Sequence, residues 1–166
     1  YNTATEILNY FGGTESHNTV QFDNREPMPR LSRFLLGNWL KTRDVSRAIT
    51  FTGGSQSFKV GYKDSKGAYH QREIVLLDDR LIVTDYVKGF KEKAVLRWRL
   101  SPANWTIEGN TFVSGQHRLI VTSNYPNIHH RLSNGEESRY YLQKTHLPVA
   151  EITVTGECFI RSEYCF

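Results

Sequence analysis

The sequence predicts an all-β fold, an antiparallel sandwich of about ten strands, and three observations carry that expectation. β-Branched and aromatic residues alternate with polar ones through most of the chain after residue 48. Turn dipeptides recur at the short spacing of sandwich strands. Helical periodicity is nearly absent. The 166 residues suit one domain, and the 39% hydrophobic content with 13% aromatics suffices for a core. Residues 1–47 read as an irregular N-terminal segment and 48–166 as the main sheets.

Each element has its own local signal. Thr3 to Phe11, with Ile7, Leu8, Tyr10 and Phe11, is the best helix candidate, and Gly12-Gly13 ends it. Ser16, His17 and Asn18 then open a strand that runs on toward Phe22. Residues 24–47 are the least regular part: Pro27 and Pro29 cannot donate to a ladder, whereas Phe34, Leu35, Leu36, Trp39 and Leu40 demand burial. Ala48 to Thr52 is a strand broken at Gly53-Gly54. Ser57 to Tyr62, leading into the polar turn Lys63-Asp64-Ser65-Lys66-Gly67, begins a hairpin. Tyr69 to Leu77 and Arg80 to Val87 form the clearest pair, around Asp78-Asp79, although neither is the glycine such loops favour. After Lys88-Gly89-Phe90-Lys91 comes Ala94 to Leu100, where Val95, Arg97 and Arg99 alternate with Leu96, Trp98 and Leu100, giving two faces of opposite polarity. Ile107-Glu108-Gly109-Asn110 is a turn, with short strands at Thr111–Val113 and Arg118–Thr122 beyond it. The last strands are Ser138–Gln143, Val149–Thr155 and Glu157–Cys165.

The totals bound the function. No apolar run reaches the roughly 18 residues of a membrane span, so no span is expected. The net charge of +4 and pI near 9.1 suit an acidic partner such as a uronate polymer or nucleic acid. The densest basic stretch, Arg25, Arg30, Arg33, Lys41, Arg43 and Arg47, reads as a solvated loop region. Cys158 and Cys165 sit at an odd offset in one strand and point to opposite faces, so no disulfide joins them. The chain starts at Tyr1 and its only methionine is Met28, which raises the expectation of a piece excised from a longer protein.

Chemistry is sparse. The six histidines, His17, His70, His117, His129, His130 and His146, show no zinc-motif spacing, and His129-His130 read as exposed loop residues. No phosphate loop, dinucleotide fingerprint or nucleophile elbow occurs. Asp78, Asp79, Asp85, Glu136 and Glu137 could supply paired carboxylates, but turn and surface positions explain them more simply. Trp39, Trp98, Trp105 and the tyrosines could stack on sugars or fill the core.

One segment carries more. Ser16-His17-Asn18-Thr19-Val20-x-Phe22-Asp23, with Met28-Pro29-Arg30 after it, resembles the HNT signature of the heparinase II/III-like polysaccharide lyase family, in its C-terminal β-sandwich region. His70-Gln71-Arg72-Glu73 with its apolar run, Leu81 to Val87 with Asp85, the Arg97-Trp98-Arg99-Leu100-Ser101-Pro102 corner and Ser138-Arg139-Tyr140-Tyr141 are similar to the family's successive strands. Two departures stand out: Glu26-Pro27 replaces the usual residues before Met-Pro, and Arg99 stands where the corner usually has histidine. The resemblance implies a bacterial lyase of uronic-acid-containing glycosaminoglycan or alginate, working by β-elimination, in a periplasmic or secreted setting. It implies an upstream helical toroid that supplies the catalytic side chains, so that none is expected in this fragment, and acidic polysaccharide rather than nucleic acid as partner. It also implies a structural zinc in the intact parent, with His17 the one metal ligand that this chain would contribute and no cofactor held by the fragment alone. The other function class left open is a non-catalytic carbohydrate-binding or interaction module for acidic glycans. Residues 31–40 are the expected docking patch for the toroid.

Overall fold

A computed structural model describes residues 5–32, 35–51, 54–140 and 143–166. The expected antiparallel sandwich is present, as two sheets of four and nine strands. Helix α1 (Thr5–Gly12) leads through a single 3-10 turn (Thr14–Ser16) to β1 (Val20–Phe22). Then come β2 (Lys41–Arg43), β3 (Ile49–Thr50), β4 (Gln56–Lys63), β5 (Tyr69–Leu76), β6 (Arg80–Lys88), β7 (Ala94–Arg99), β8 (Thr106–Glu108), β9 (Thr111–Ser114), β10 (His117–Ser123), β11 (His129–Glu137), β12 (Thr145–Val154) and β13 (Cys158–Cys165). The smaller sheet runs β1-β7-β12-β11, and the larger β2-β4-β5-β6-β13-β10-β9-β8 with β3 also paired to β4.

Local chemistry explains the hairpins. Asp64 turns the chain between β4 and β5 by accepting the backbone N–H groups of Lys66 and Ala68 at 2.9 and 3.0 Å, and Gly67 supplies the positive φ of +98° that closes the turn. Between β5 and β6 the Leu77 N–H donates to the Arg80 carbonyl at 2.9 Å, which leaves Asp78-Asp79 as the two-residue loop. Neither aspartate has a positive φ, so the missing glycine costs nothing there.

The core fills the space between the sheets. Cross-strand partners share a face, and the register Ile74↔Val83↔Ser162 and Arg72↔Asp85↔Ile160 defines the inward face of the larger sheet. Val20, Phe22, Leu96, Ile152 and Val154 of the smaller sheet meet Val87, Phe112, Val121 and Ile160 of the larger. Trp98 ties the layers together by donating its Nε1–H to Ser162 Oγ at 2.9 Å. The smaller sheet is too narrow to cover the larger. Beyond its edge at β1, the inward-facing Phe58, Ile74 and Leu76 stay exposed.

Several sequence expectations need correcting. Residues 16–18 do not open a strand: they form the end of the 3-10 turn and the bend after it, and β1 starts only at Val20. The expected strand at Ser138–Gln143 is absent over its described residues; Ser138 to Tyr140 come after β11, and Tyr141 and Leu142 lie outside the described residues. The strand is instead His129–Glu137, where His129 and His130 pair with Thr153 and Ile152. It has little β-forming composition and owes its state to β12, with which it is paired over nine positions. Asp85 is not a turn or surface residue but a core one, 0% exposed. Of the basic stretch, Arg25 is not merely solvated: its guanidinium lies 2.5 Å from the buried Asp64 carboxylate. Cys158 and Cys165 are both free, at the two ends of β13. Leu31, Leu35 and Trp39 of the expected docking patch are exposed, Trp39 to 76%; Phe34 falls outside the described residues, as do Thr3, Arg33, Thr52 and Gly53.

Candidate functional site at the 3-10 corner

The sequence motifs converge on one corner of the sandwich, where the chain passes from α1 into β1. Glu26 fastens the 3-10 turn: its carboxylate accepts the Thr14 N–H and the Thr14 hydroxyl, both at 2.9 Å. The residue that departs from the resembled pattern is therefore the clamp of the segment beside it. Ser16 donates its hydroxyl to the carbonyls of Phe11 or Gly13, each at 3.1 Å. His17 Nδ1 lies 2.8 Å from the Gly13 carbonyl; a carbonyl only accepts, so Nδ1 carries the proton and the neutral ring keeps its lone pair at Nε2. The imidazole is exposed.

Asn18 links this corner to both sheets. Its Oδ1 accepts the Arg99 backbone N–H at 2.7 Å, and its carbonyl accepts from Arg72 Nη1 at 2.6 Å. Arg72 in turn is held from two sides. Its guanidinium grips Asp85 through Nε to Oδ1 at 2.7 Å and Nη2 to Oδ2 at 3.1 Å, and its Cζ lies 4.9 Å from the Trp98 ring centroid. His70, buried against Tyr62, completes the cluster with Nε2 2.5 Å from Asp85 Oδ1. Burial alone would raise the Asp85 pKa, but the Arg72 guanidinium and the His70 hydrogen bond outweigh it and hold the carboxyl below its ordinary value. Burial and the nearby Asp64 push Tyr62 up to about 12. Asp85 and His70 are buried and Arg72 is largely so, and their mutual pairing anchors the corner.

Asp23, at the far end of the motif, accepts the backbone N–H groups of Lys91, Glu92 and Lys93. These bonds and Arg25 overcome a burial penalty and lower its pKa. The β6–β7 connection is thereby fixed to the end of β1.

An open cleft of about 390 Å³ lies in front of the corner, with His17, Asn18, Arg99, Ser101, Glu137 and Arg139 along its walls. A second cavity of about 200 Å³ runs from Asn18 and Arg99 between the sheets, past Trp98 and Trp105. Trp105 is buried and donates to the Ser101 carbonyl at 3.1 Å, so of the three tryptophans only Trp39 is widely exposed. The cleft wall carries Arg99, Arg139, one imidazole and the Glu137 carboxylate, which Arg139 holds at 2.8 Å.

The donor set for a metal is incomplete. Nδ1–H bonded to a carbonyl with Nε2 outward is the arrangement of a metal-binding imidazole. Among the described residues, however, no three His, Cys, Asp or Glu side chains converge as a metal site, and a structural zinc needs about four ligands. His17 fits as one ligand, and the described residues do not close the set.

Sequence reasoning singled out His17, Asn18 and Asp23 but missed His70 and took Asp85 for a surface group. The available signal was polar residues at inward positions: Arg72 and Asp85 alternate in phase with Ile74 and Val83, and only mutual pairing permits that.

Residues 1–157 match the family described as heparinase II/III-like, C-terminal. Among solved structures, a heparinase III gene product matches over 100% of this chain with a TM-score of 0.76 and 17% identity. Heparan sulfate lyase HepC from Pedobacter heparinus matches over the same 100% with a TM-score of 0.71 and 15% identity. Each match takes in 27% of the other chain, so this chain spans about a quarter of the length of those lyases. No curated protein gives a significant match.

Proposed function

The chain belongs to the heparinase II/III-like C-terminal family, and from that premise we propose that it is the C-terminal sandwich of a polysaccharide lyase that cleaves uronic-acid-containing chains by β-elimination. The observation that carries this reading is the corner cleft: a motif segment clamped by Glu26, Asn18 and Arg72 presents His17 beside Arg99 at an open, net basic wall. Elimination removes a poorly acidic proton beside a carboxylate. It therefore needs positive or hydrogen-bonding groups on that carboxylate, a base for the proton and an acid for the leaving oxygen. This chain contributes a wall that attracts and orients an acidic glycan. The acid–base pair comes from the rest of the protein, a preceding helical toroid docked on the exposed apolar residues Leu31, Leu35 and Trp39. His17 serves there as one ligand of a zinc completed from outside the described residues.

The isolated chain is expected to produce no unsaturated-uronate absorbance from heparan sulfate, chondroitin or alginate, whereas the longer protein produces it from at least one of them. Absorbance from this chain alone would overturn the division of labour. Elemental analysis of the longer protein should find zinc, lost in His17→Ala; full zinc in that variant would remove His17 from the ligand set.

A second reading, a carbohydrate-binding module, is favoured by the outer face of the larger sheet. There Phe159, 48% exposed, stacks on Tyr86 at 4.5 Å, and Lys88 Nζ lies 5.1 Å from the Tyr86 ring centroid. Saturable glycan binding that Phe159→Ala abolishes, with no elimination by the longer protein, would select it.

A further inference from the structure

Arg99 differs from the neighbouring arginines of the corner in what it holds. Arg25 has Asp64, Arg72 has Asp85, Arg97 has Glu151 and Arg139 has Glu137. Arg99 donates only to neutral acceptors, Nη1 to the Tyr10 hydroxyl at 3.3 Å and Nη2 to the Glu136 carbonyl. Among the described residues no carboxylate pairs with it. A half-buried guanidinium without a counter-ion is costly, and the surroundings are shaped to keep it. A Cβ at Gly135 would stand 3.2 Å from Arg99 Nη1 and 3.0 Å from the Tyr10 hydroxyl, so the glycine makes room for both. Tyr10 also accepts the Glu136 N–H at 2.8 Å, which fixes the hydroxyl that positions Nη1. Asn18 holds the backbone of Arg99 itself. The fork is thus braced from α1, β11 and the bend before β1, with donors left over at the cleft.

We propose that Arg99 is a positioning residue for an oxyanion on an acidic sugar, a carboxylate or a sulfate, bound in the cleft between His17 and Arg139. The proposal rests on the lyase reading for its ligand class and on the unpaired guanidinium for its location. Charge supports it: Glu137 is taken by Arg139 at 2.8 Å and Glu136 by Lys144 at 3.0 Å, so among the described residues the Arg99 charge is the one left over at this wall. A planar guanidinium offers two parallel N–H donors to either anion.

The test is a titration of this chain with sodium sulfate and, separately, sodium glucuronate at constant ionic strength, read by nitrogen-15 NMR of backbone amides and arginine Nε. Saturable shifts centred on Arg99, Ser101 and Arg139 are expected, with the stronger of the two salts naming the anion. Arg99→Gln should abolish them and Arg99→Lys weaken them several-fold, while Arg118→Gln on β10 changes nothing. In the longer protein Arg99→Gln should raise KM for its glycan roughly tenfold with kcat nearly unchanged, the signature of lost binding shared by ground and transition states. Shifts spread evenly over all arginines, or unchanged in Arg99→Gln, overturn the proposal. If anions saturate at Arg99 but the longer protein eliminates nothing, the lyase reading fails and the site stands. If elimination proceeds with KM and kcat indifferent to Arg99, the site fails and the lyase reading stands.

Discussion

Asp85 shows how one side chain can set the stability of a whole corner. It is fully buried, accepts from Arg72 and His70, and through Arg72 reaches the carbonyl of Asn18. Removing one partner of such a pair strands a buried charge. Asp85→Ala is therefore expected to cost about 3–5 kcal/mol, measured as a lower midpoint in urea. The same carboxylate gives the fold an acid limit. Its folded pKa is lowered, so its contribution is fully present above the unfolded value of about 3.9 and is lost as pH falls through the folded value. Asp23 and Glu151 are shifted in the same direction. Stability should hold steady at mildly acidic pH and fall steeply below about pH 4, with Asp85→Asn flattening that fall. Composition revealed none of this. Asp85 reads as a turn residue until the register with Arg72 is known, because its meaning lies in its partner.

At the scale of elements, strands with their own alternation were legible and borrowed strands were not. β5 and β6 are written in Ile74 to Leu77 and Leu81 to Val83 around two aspartates, and β13 in its length and alternation. β11, which reads as a loop and then a misplaced strand, has the sequence HHRLSNGEE and is ordered by pairing with β12 and by His130, which donates to the Val121 carbonyl at 3.2 Å. Burial lowers the pKa of that histidine, the Val121 bond notwithstanding. The end of β11 carries a tight constraint beside the corner. A Cβ at Gly135 would come within 2.8 Å of Val149 Cγ2 on β12 and crowd Tyr10 and Arg99. Gly135→Ala should therefore destabilise by about 1–3 kcal/mol through overpacking. Hydrogen exchange would show the loss concentrated in α1 and the β11–β12 pair; an unchanged protection pattern would mean that the neighbours yield freely.

For the molecule as a whole, the unequal widths of the sheets dominate. Nine strands face four, and Phe58, Ile74 and Leu76 lie bare on the side meant for a core. This chain alone should bind a hydrophobic fluorophore such as ANS, Phe58→Ser should reduce that signal without lowering the urea midpoint, and the longer protein should bind much less of it. Equal fluorescence from both would show that nothing covers the strip. The architecture was legible in the sequence, whereas the narrowness of the smaller sheet was not, because strand counts do not say which strands pair. That pairing also imposes an order of assembly. The partner of β6 across the larger sheet is β13, and Arg80 must wait for Cys165. During synthesis the β4–β5–β6 meander leaves the ribosome with one raw edge, and β7 to β12, which include the remaining strands of the opposite layer, all emerge before the strand that closes it. A nascent chain paused in that interval offers its open edge to any neighbour, which makes β13 the natural guard against misassembly.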